Sequence, residues 1–199
     1  GKMFAGWTTV QYGGFPLYKG GGKVKNLAAT QGAVVNLYAV FDNIPDRTLT
    51  YDANGGSGAP AAKTVANGTN ITISADKPTR DNYTFRGWTL TYNSTDVRFK
   101  PGDELQMSRD YTLYAVWTKN PKVTYEANGG HFTTSLTSDY PSPEETYKLT
   151  YVKPVLEGHT FAGWKCSADG KTYGSGADYK PENYTDITFT AQWSVNKYN

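Results

Sequence analysis

Leu49-Thr50-Tyr51-Asp52-Ala53-Asn54-Gly55-Gly56 is nearly restated as Val123-Thr124-Tyr125-Glu126-Ala127-Asn128-Gly129-Gly130, with Tyr125 standing 74 positions after Tyr51 (125 − 51). In both stretches the larger residues alternate with small polar ones: Leu49, Tyr51 and Ala53, then Val123, Tyr125 and Ala127. Period two marks a strand with one buried face. Each stretch ends in Asn-Gly-Gly, where positive φ is cheap, so the chain turns there. Working outward, Thr84-Phe85-Arg86-Gly87-Trp88 reappears as Thr160-Phe161-Ala162-Gly163-Trp164, and Tyr114-Ala115-Val116-Trp117 as Thr190-Ala191-Gln192-Trp193. Both Trp pairs are offset by 76 (164 − 88 and 193 − 117). Repetition at a near-constant period means several copies of one small unit, so chemistry is to be sought per copy. That argues against an enzyme.

A third copy lies at the start. Phe4-Ala5-Gly6-Trp7 matches the middle of the unit, and Val35-Asn36-Leu37-Tyr38-Ala39-Val40-Phe41 matches its end, with Phe41 in place of Trp. The expected organisation is therefore 1–41 as the later part of a truncated copy, 47–117 and 122–193 as complete copies, and 194–199 as the start of a connector to a further one. On this reading the chain is a piece of a longer protein, and the absence of a signal peptide or anchor carries no weight. A half copy would expose sheet edges and side chains such as Val35, Leu37 and Phe41. Residues 1–41 are accordingly expected to dock on the second copy, with Asp42-Asn43-Ile44-Pro45-Asp46 as the joint.

The closing segments alternate like the opening ones: Leu113, Ala115, Trp117; Ile187, Phe189, Ala191, Trp193; and Val35, Leu37, Ala39, Phe41. Lys77-Pro78 and Lys153-Pro154 each mark a strand end or a turn, because proline fixes φ and holds its predecessor extended. Thr69–Ile73 and Tyr147–Val152 read as strands between these landmarks. No segment has a sustained helical period, so any helix is short. The fold class is α+β, mostly β. The Gly before each Trp permits close backbone approach, and Trp7, Trp88, Trp117, Trp164, Trp193 and Phe41 are expected to form the core. Units of about seventy residues sit near the lower limit for a self-sufficient core, which explains two Trp per complete copy.

Composition narrows the function classes. Aromatics at 15%, charged residues at 19% and a net charge of +2 describe a folded chain with a polar surface. No basic stripe appears, so nucleic acid is not an expected partner. The lone Cys166 cannot form an intramolecular disulfide, and neither His131 nor His159 stands in a pattern that would activate it as a nucleophile. It is expected to be passive. Glu144-Glu145 and Asp103-Glu104 occur in single copies within turns, where acids are routinely solvated, so no catalytic carboxylate pair is assigned. Two His, one Cys and no loop of regularly spaced Asp provide no metal ligand set. No cofactor is expected. The Asn-X-Thr triplets at Asn67, Asn70, Asn82, Asn93 and Asn183 are read as products of Asn- and Thr-rich strands and turns.

Tyr-Asp-Ala-Asn-Gly-Gly, followed by Tyr83-Thr84-Phe85-Arg86-Gly87-Trp88 and Thr112-Leu113-Tyr114-Ala115-Val116-Trp117, resembles the internalin B B-repeat, also called the Listeria-Bacteroides repeat. The resemblance covers 47–117 and 122–193 fully and 1–41 in part. It implies small β-grasp, ubiquitin-like modules in series within a protein exported by a bacterium, displayed outside the cell and held to the wall through a C-terminal region. It carries no catalytic residue. The first copy departs from the pattern through Phe41 and through five extra residues between Trp7 and Phe41 compared with Trp88 to Trp117 (34 against 29).

The leading functional expectation is a stalk or spacer that doubles as an adhesion module, monomeric within its longer chain and not inserted in the membrane. Short connectors holding Pro45 and Pro121 would restrict the hinges. The alternative is recognition of a glycan or host extracellular protein through loop tyrosines. Among the sixteen Tyr, the candidates are Tyr12, Tyr92, Tyr140 and Tyr173, whose rings could stack on sugars or anchor an interface.

Overall fold

The computed structural model describes residues 1–197 and contains fourteen strands. These are β1 (Lys2–Thr8), β2 (Tyr38–Asn43), β3 (Arg47–Asp52), β4 (Lys63–Val65), β5 (Asn70–Thr72), β6 (Tyr83–Thr89), β7 (Glu104–Gln106), β8 (Tyr111–Lys119), β9 (Val123–Glu126), β10 (Tyr147–Lys148), β11 (His159–Cys166), β12 (Thr172–Tyr173), β13 (Asp178–Tyr179) and β14 (Ile187–Val195). The described residues include no helix, so the fold is all-β and the α part of the expected α+β class is corrected. The connections are broken by Asn and Gly residues at positive φ, such as Asn82, Asn93, Gly102 and Gly158. Such short, interrupted segments cannot repay the cost of nucleating a helix.

The chain divides into two compact units, one comprising Gly1–Thr50, Ala62–Thr72 and Glu104–Thr112, the other Tyr51–Ala61, Ile73–Asp103 and Leu113 onward. In the first, β1 and β2 form an antiparallel ribbon in which Phe4 faces Phe41 and Trp7 faces Ala39. There too the start of β3 pairs with β4, and β5 with β7, both antiparallel. Residues Asp42 and Asn43, expected in a linker, extend β2.

The four-stranded sheet of the second copy runs β4-β3-β8-β6, and that of the third runs β12-β11-β14-β9. In the third copy β11 is antiparallel to both β12 and β14, while β9 is parallel to β14, with Val123 opposite Ile187 and Tyr125 opposite Phe189. A second ribbon, β10 with β13, sets Tyr147 opposite Tyr179. The core between these sheets gathers Val123, Leu149, Trp164, Cys166, Tyr179, Ile187, Phe189 and Ala191. Ile187, Phe189 and Ala191 are alternate residues of β14, so the period-two pattern of the sequence is the buried face of that strand.

The Gly-Trp step has one local cause in every copy. Strand register slips between Phe4 and Gly6, Phe85 and Gly87, and Phe161 and Gly163, a β-bulge each time. The bulge glycines have φ of +150°, +139° and +137°. A Cβ on Gly87 would lie 2.6 Å from the Phe99 carbonyl oxygen. The bulge swings the next residue inward, and Trp88 and Trp164 are fully buried.

Candidate functional site

The recurring residues each hold one part of a module. The Tyr51 hydroxyl accepts the backbone N–H of Ser74 at 2.9 Å, and the Tyr125 hydroxyl that of Thr150 at 3.0 Å. Their rings meet Trp88 and Trp164 edge-on, both at 5.0 Å. Asn54 and Asn128 adopt φ of 47° and 48° and send their amides to the carbonyls of Ala115 and Ala191. The closing indoles return the tie: Trp117 Nε1 donates to Ala53 O at 2.9 Å, and Trp193 Nε1 to Asn128 O at 2.9 Å. Gly56 and Gly130 lie beneath these rings, where a Cβ would come within 2.6 and 2.7 Å of Cζ2.

Residues 1–41 show no such closure among the described residues, and two of the expected core residues are corrected. Phe4, Trp7 and Phe41 reproduce the aromatic cluster of the other copies, with ring separations of 5.3 and 5.9 Å. Yet Trp7 is 37% exposed and Phe41 53%. Among the described residues no tyrosine is laid across these rings as Tyr51 is across Trp88. Ala39 is exposed as well, and Val35 and Leu37 lie outside β2, half-buried. Trp117 and Trp193 are half-buried at the module ends.

Of the four loop tyrosines, two are taken up by structure. Tyr173 lies in β12, its ring edge-on to Tyr179 and Phe189 and its hydroxyl donating to Asp169 at 2.6 Å. The Asp169 carboxylate, together with burial, pushes the Tyr173 hydroxyl up to about 12. Burial works against the Asp169 charge, but the hydrogen bonds from Tyr173 and the Lys171 N–H outweigh it and hold the carboxyl below its ordinary value. Tyr140 is half-buried and its carbonyl is bonded. Tyr12 is 84% exposed and Tyr92 62%. Tyr92 stacks edge-on with Tyr114 at 5.4 Å and lines a shallow depression with Asn54, Arg80, Asn93 and Trp117. Tyr140 and Tyr173 do not line it.

Cys166 is buried, with its Sγ 3.6 Å from the Tyr179 hydroxyl. Burial and the Asp139 carboxylate raise the Tyr147 hydroxyl well above its ordinary value. Among the described residues no three His, Cys, Asp or Glu side chains come together as metal ligands.

The connector between the second and third copies is built into a polar network that single-copy reasoning missed. The Thr84 hydroxyl donates to Asn120 Oδ1 at 2.6 Å, and both side chains are buried. Asn120 Nδ2 donates to Tyr140 O at 2.9 Å, and its backbone N–H to Asn82 O at 2.9 Å. Ser142 Oγ stands 3.0 Å from Thr84 Oγ1, and because the Thr84 proton is committed to Asn120, Ser142 is the donor. The Glu144 N–H closes the chain on Ser142 Oγ at 3.1 Å. Pro121 beside it is fully buried.

Outside this line, Arg86 Nη1 reaches Glu144 Oε1 at 3.0 Å and the Tyr184 hydroxyl at 2.7 Å. Arg86 and Glu144 are 37% and 50% exposed, so that ion pair contributes at most about 1 kcal/mol. The buried Thr84–Asn120–Tyr140 line matters more, since breaking it strands buried polar atoms at about 1–3 kcal/mol each. The signal for it was present, since Thr160 and Asn196 recur 76 positions after Thr84 and Asn120 (160 − 84 and 196 − 120). So was that for Asp110 and Asp186, whose carboxylates accept the N–H of Thr48 and Lys122 at 2.8 Å, next to the opening strands.

Comparison with known proteins places these modules. The chain is 28% identical over its whole length to a protein named a Gly-rich membrane protein of Evansella cellulosilytica, and 29% identical over 64% of its length to internalin H of Listeria monocytogenes. It spans 23% of the length of each. No solved structure matches it significantly. No helix among the described residues is long and apolar enough to cross a membrane. The Listeria-Bacteroides repeat domain model matches residues 48–116 and 122–192, so that the bulged Gly-Trp strand, the Asn-Gly-Gly turn and the closing Trp each fall within a matched copy, and the chain belongs to the Listeria-Bacteroides repeat family.

Proposed function

We propose that the chain is a non-catalytic spacer segment of a bacterial cell-surface protein, built of small β-grasp modules in series and displayed outside the cell on a wall-attached parent. The observation that carries this reading is the parallel pairing of the first and last strands of the third module, β9 and β14. Pulling on the two ends of such a module loads all the β9–β14 hydrogen bonds together, in shear, instead of one at a time. The buried Pro121 connector supports the same reading, because it leaves little slack between modules. The relatives supply the setting, one named a membrane protein and one an internalin.

Stretching the chain between handles at its ends is the test. The third module should resist more force than the β1–β2 ribbon, and Thr124→Pro, which deletes a backbone donor from β9, should lower that force. Equal, low forces for both would overturn the proposal, as would small-angle scattering from a compact globule.

A second reading is favoured by the depression at Tyr92, which the exposed Tyr92 ring and Asn93 line together with the half-buried Trp117, Arg80 and Asn54. That combination suits stacking and hydrogen bonding to a sugar or a host extracellular protein. Binding on a glycan array, abolished by Tyr92→Ala with the fold intact, supports it. Undiminished binding by the variant, or none by the parent chain, removes it.

A further inference from the structure

The buried line that joins the second and third modules exists in a half-assembled form at the far end of the third. Thr160 Oγ1 donates to Asn196 Oδ1 at 2.7 Å, as Thr84 does to Asn120, and the Asn196 backbone N–H donates to Gly158 O at 2.9 Å, as that of Asn120 does to Asn82. Two atoms that are occupied in the first instance are open in the second. Asn120 Nδ2 bonds the Tyr140 carbonyl and Thr84 Oγ1 receives Ser142, whereas Asn196 Nδ2 and the Thr160 lone pair meet no partner among the described residues. Thr160 is exposed and Asn196 half-buried, while Thr84 and Asn120 are buried.

From this we infer that Thr160 and Asn196 form a preset socket for another module of the same family, and that its occupant is a loop like Tyr140-Pro141-Ser142-Pro143. The occupant is dictated by the filled example. A backbone carbonyl must reach the amide and a hydroxyl must reach the threonine, two residues apart, and Tyr140 and Ser142 supply that spacing. The orientation of the socket is already set, because Asn196 is held through both its backbone N–H and its Oδ1. Binding therefore freezes little side-chain freedom. The ion pair at the filled joint is dispensable here, since Ala162 stands where Arg86 does. The first copy lacks the device: Met3 and Ile44 occupy the positions of Thr84 and Asn120, and only the backbone bond from Ile44 N–H to Gly1 O remains. Module joints in this chain are thus of two kinds, one with a polar lock and one without. The inference stands whether or not the array serves as a spacer.

The test is a chain running to Asn196 and followed directly by a second copy of residues 121–196. In nuclear magnetic resonance spectra of labelled protein, the Asn196 side-chain amide signals should shift and exchange more slowly than in the parent chain, approaching those of Asn120. Asn196→Ala should leave the parent's stability nearly unchanged but raise the unfolding equilibrium constant of the appended module about five- to tenfold. Thr160→Val, which keeps the strand shape, should act in the same direction. Asn196 signals identical in both chains, or an appended module that tumbles independently, would overturn the inference.

Discussion

Asn54, Gly55 and Gly56 show how three adjacent residues come to be needed for three different reasons. Asn54 tolerates φ of 47° and its amide bonds the Ala115 carbonyl; Gly55 takes φ of 86°; Gly56 has no room for a side chain. Gly56→Ala places a methyl 2.5 Å from Thr79 O and should cost about 1–3 kcal/mol by overpacking, read as a lower denaturant midpoint at constant slope. Tyr51→Phe should cost about 1 kcal/mol, because the ring contact with Trp88 survives and only the acceptor for Ser74 N–H is lost. The buried indoles behave differently. Trp88 and Trp164 Nε1 have no hydrogen-bond partner among the described residues, so these positions use the volume of the ring and not its donor. Trp88→Ala should cost about 3–5 kcal/mol and Trp88→Phe distinctly less, since it also removes an unpaired buried N–H.

Strands β6 and β11 owe their shape to the bulge. Gly87→Ala meets both a φ of +139° and a carbonyl oxygen 2.6 Å from the new Cβ, so it should be more damaging than an alanine at an open glycine such as Gly102. Comparing thermal midpoints of the two variants checks this. The β11–β12 hairpin also carries a pH dependence. Asp169 is held below its ordinary value, so the stability from its bond with Tyr173 is present above the unfolded carboxyl value and is lost as pH falls through the lower folded one. Tyr173 is raised, so its share is complete below the ordinary phenol value and is lost as pH rises toward about 12. Tyr173→Phe should flatten both limbs of a stability-against-pH curve measured by chemical denaturation.

At the scale of the whole molecule, most of the large exposed apolar side chains of the described residues fall within residues 1–41. The β1–β2 ribbon and the segment joining its two strands leave Phe15 and Val34 exposed at 86% and 87%, along with Phe41. Phe15→Ser should change stability by less than about 0.5 kcal/mol while reducing binding of a hydrophobic dye. The same dye should be insensitive to Trp193→Phe, whose ring is half-buried over Gly130.

The amino-acid order by itself determined the repeat, its opening and closing strands and its Asn-Gly-Gly turns, because alternation and turn residues act over a few positions and need no distant partner, whereas the short β4, β7, β12 and β13 carry no such pattern. It also exposed the family through three motifs at fixed spacing. Burial was another matter. Trp7 and Trp88 follow the same Gly in the same bulge, yet only Trp88 has a Tyr51 laid across it, and no local pattern reports whether a covering residue exists. Tyr140 and Tyr173 sit in loops and short strands that look like surface, but a carbonyl bond and an aspartate hold them in the structure. Only tertiary structure decided that Thr84 and Asn120, ordinary polar residues thirty-six positions apart, would meet in a dry joint. A polar side chain acquires such a role when folding removes its water and offers one partner in return, and that exchange is written in three dimensions.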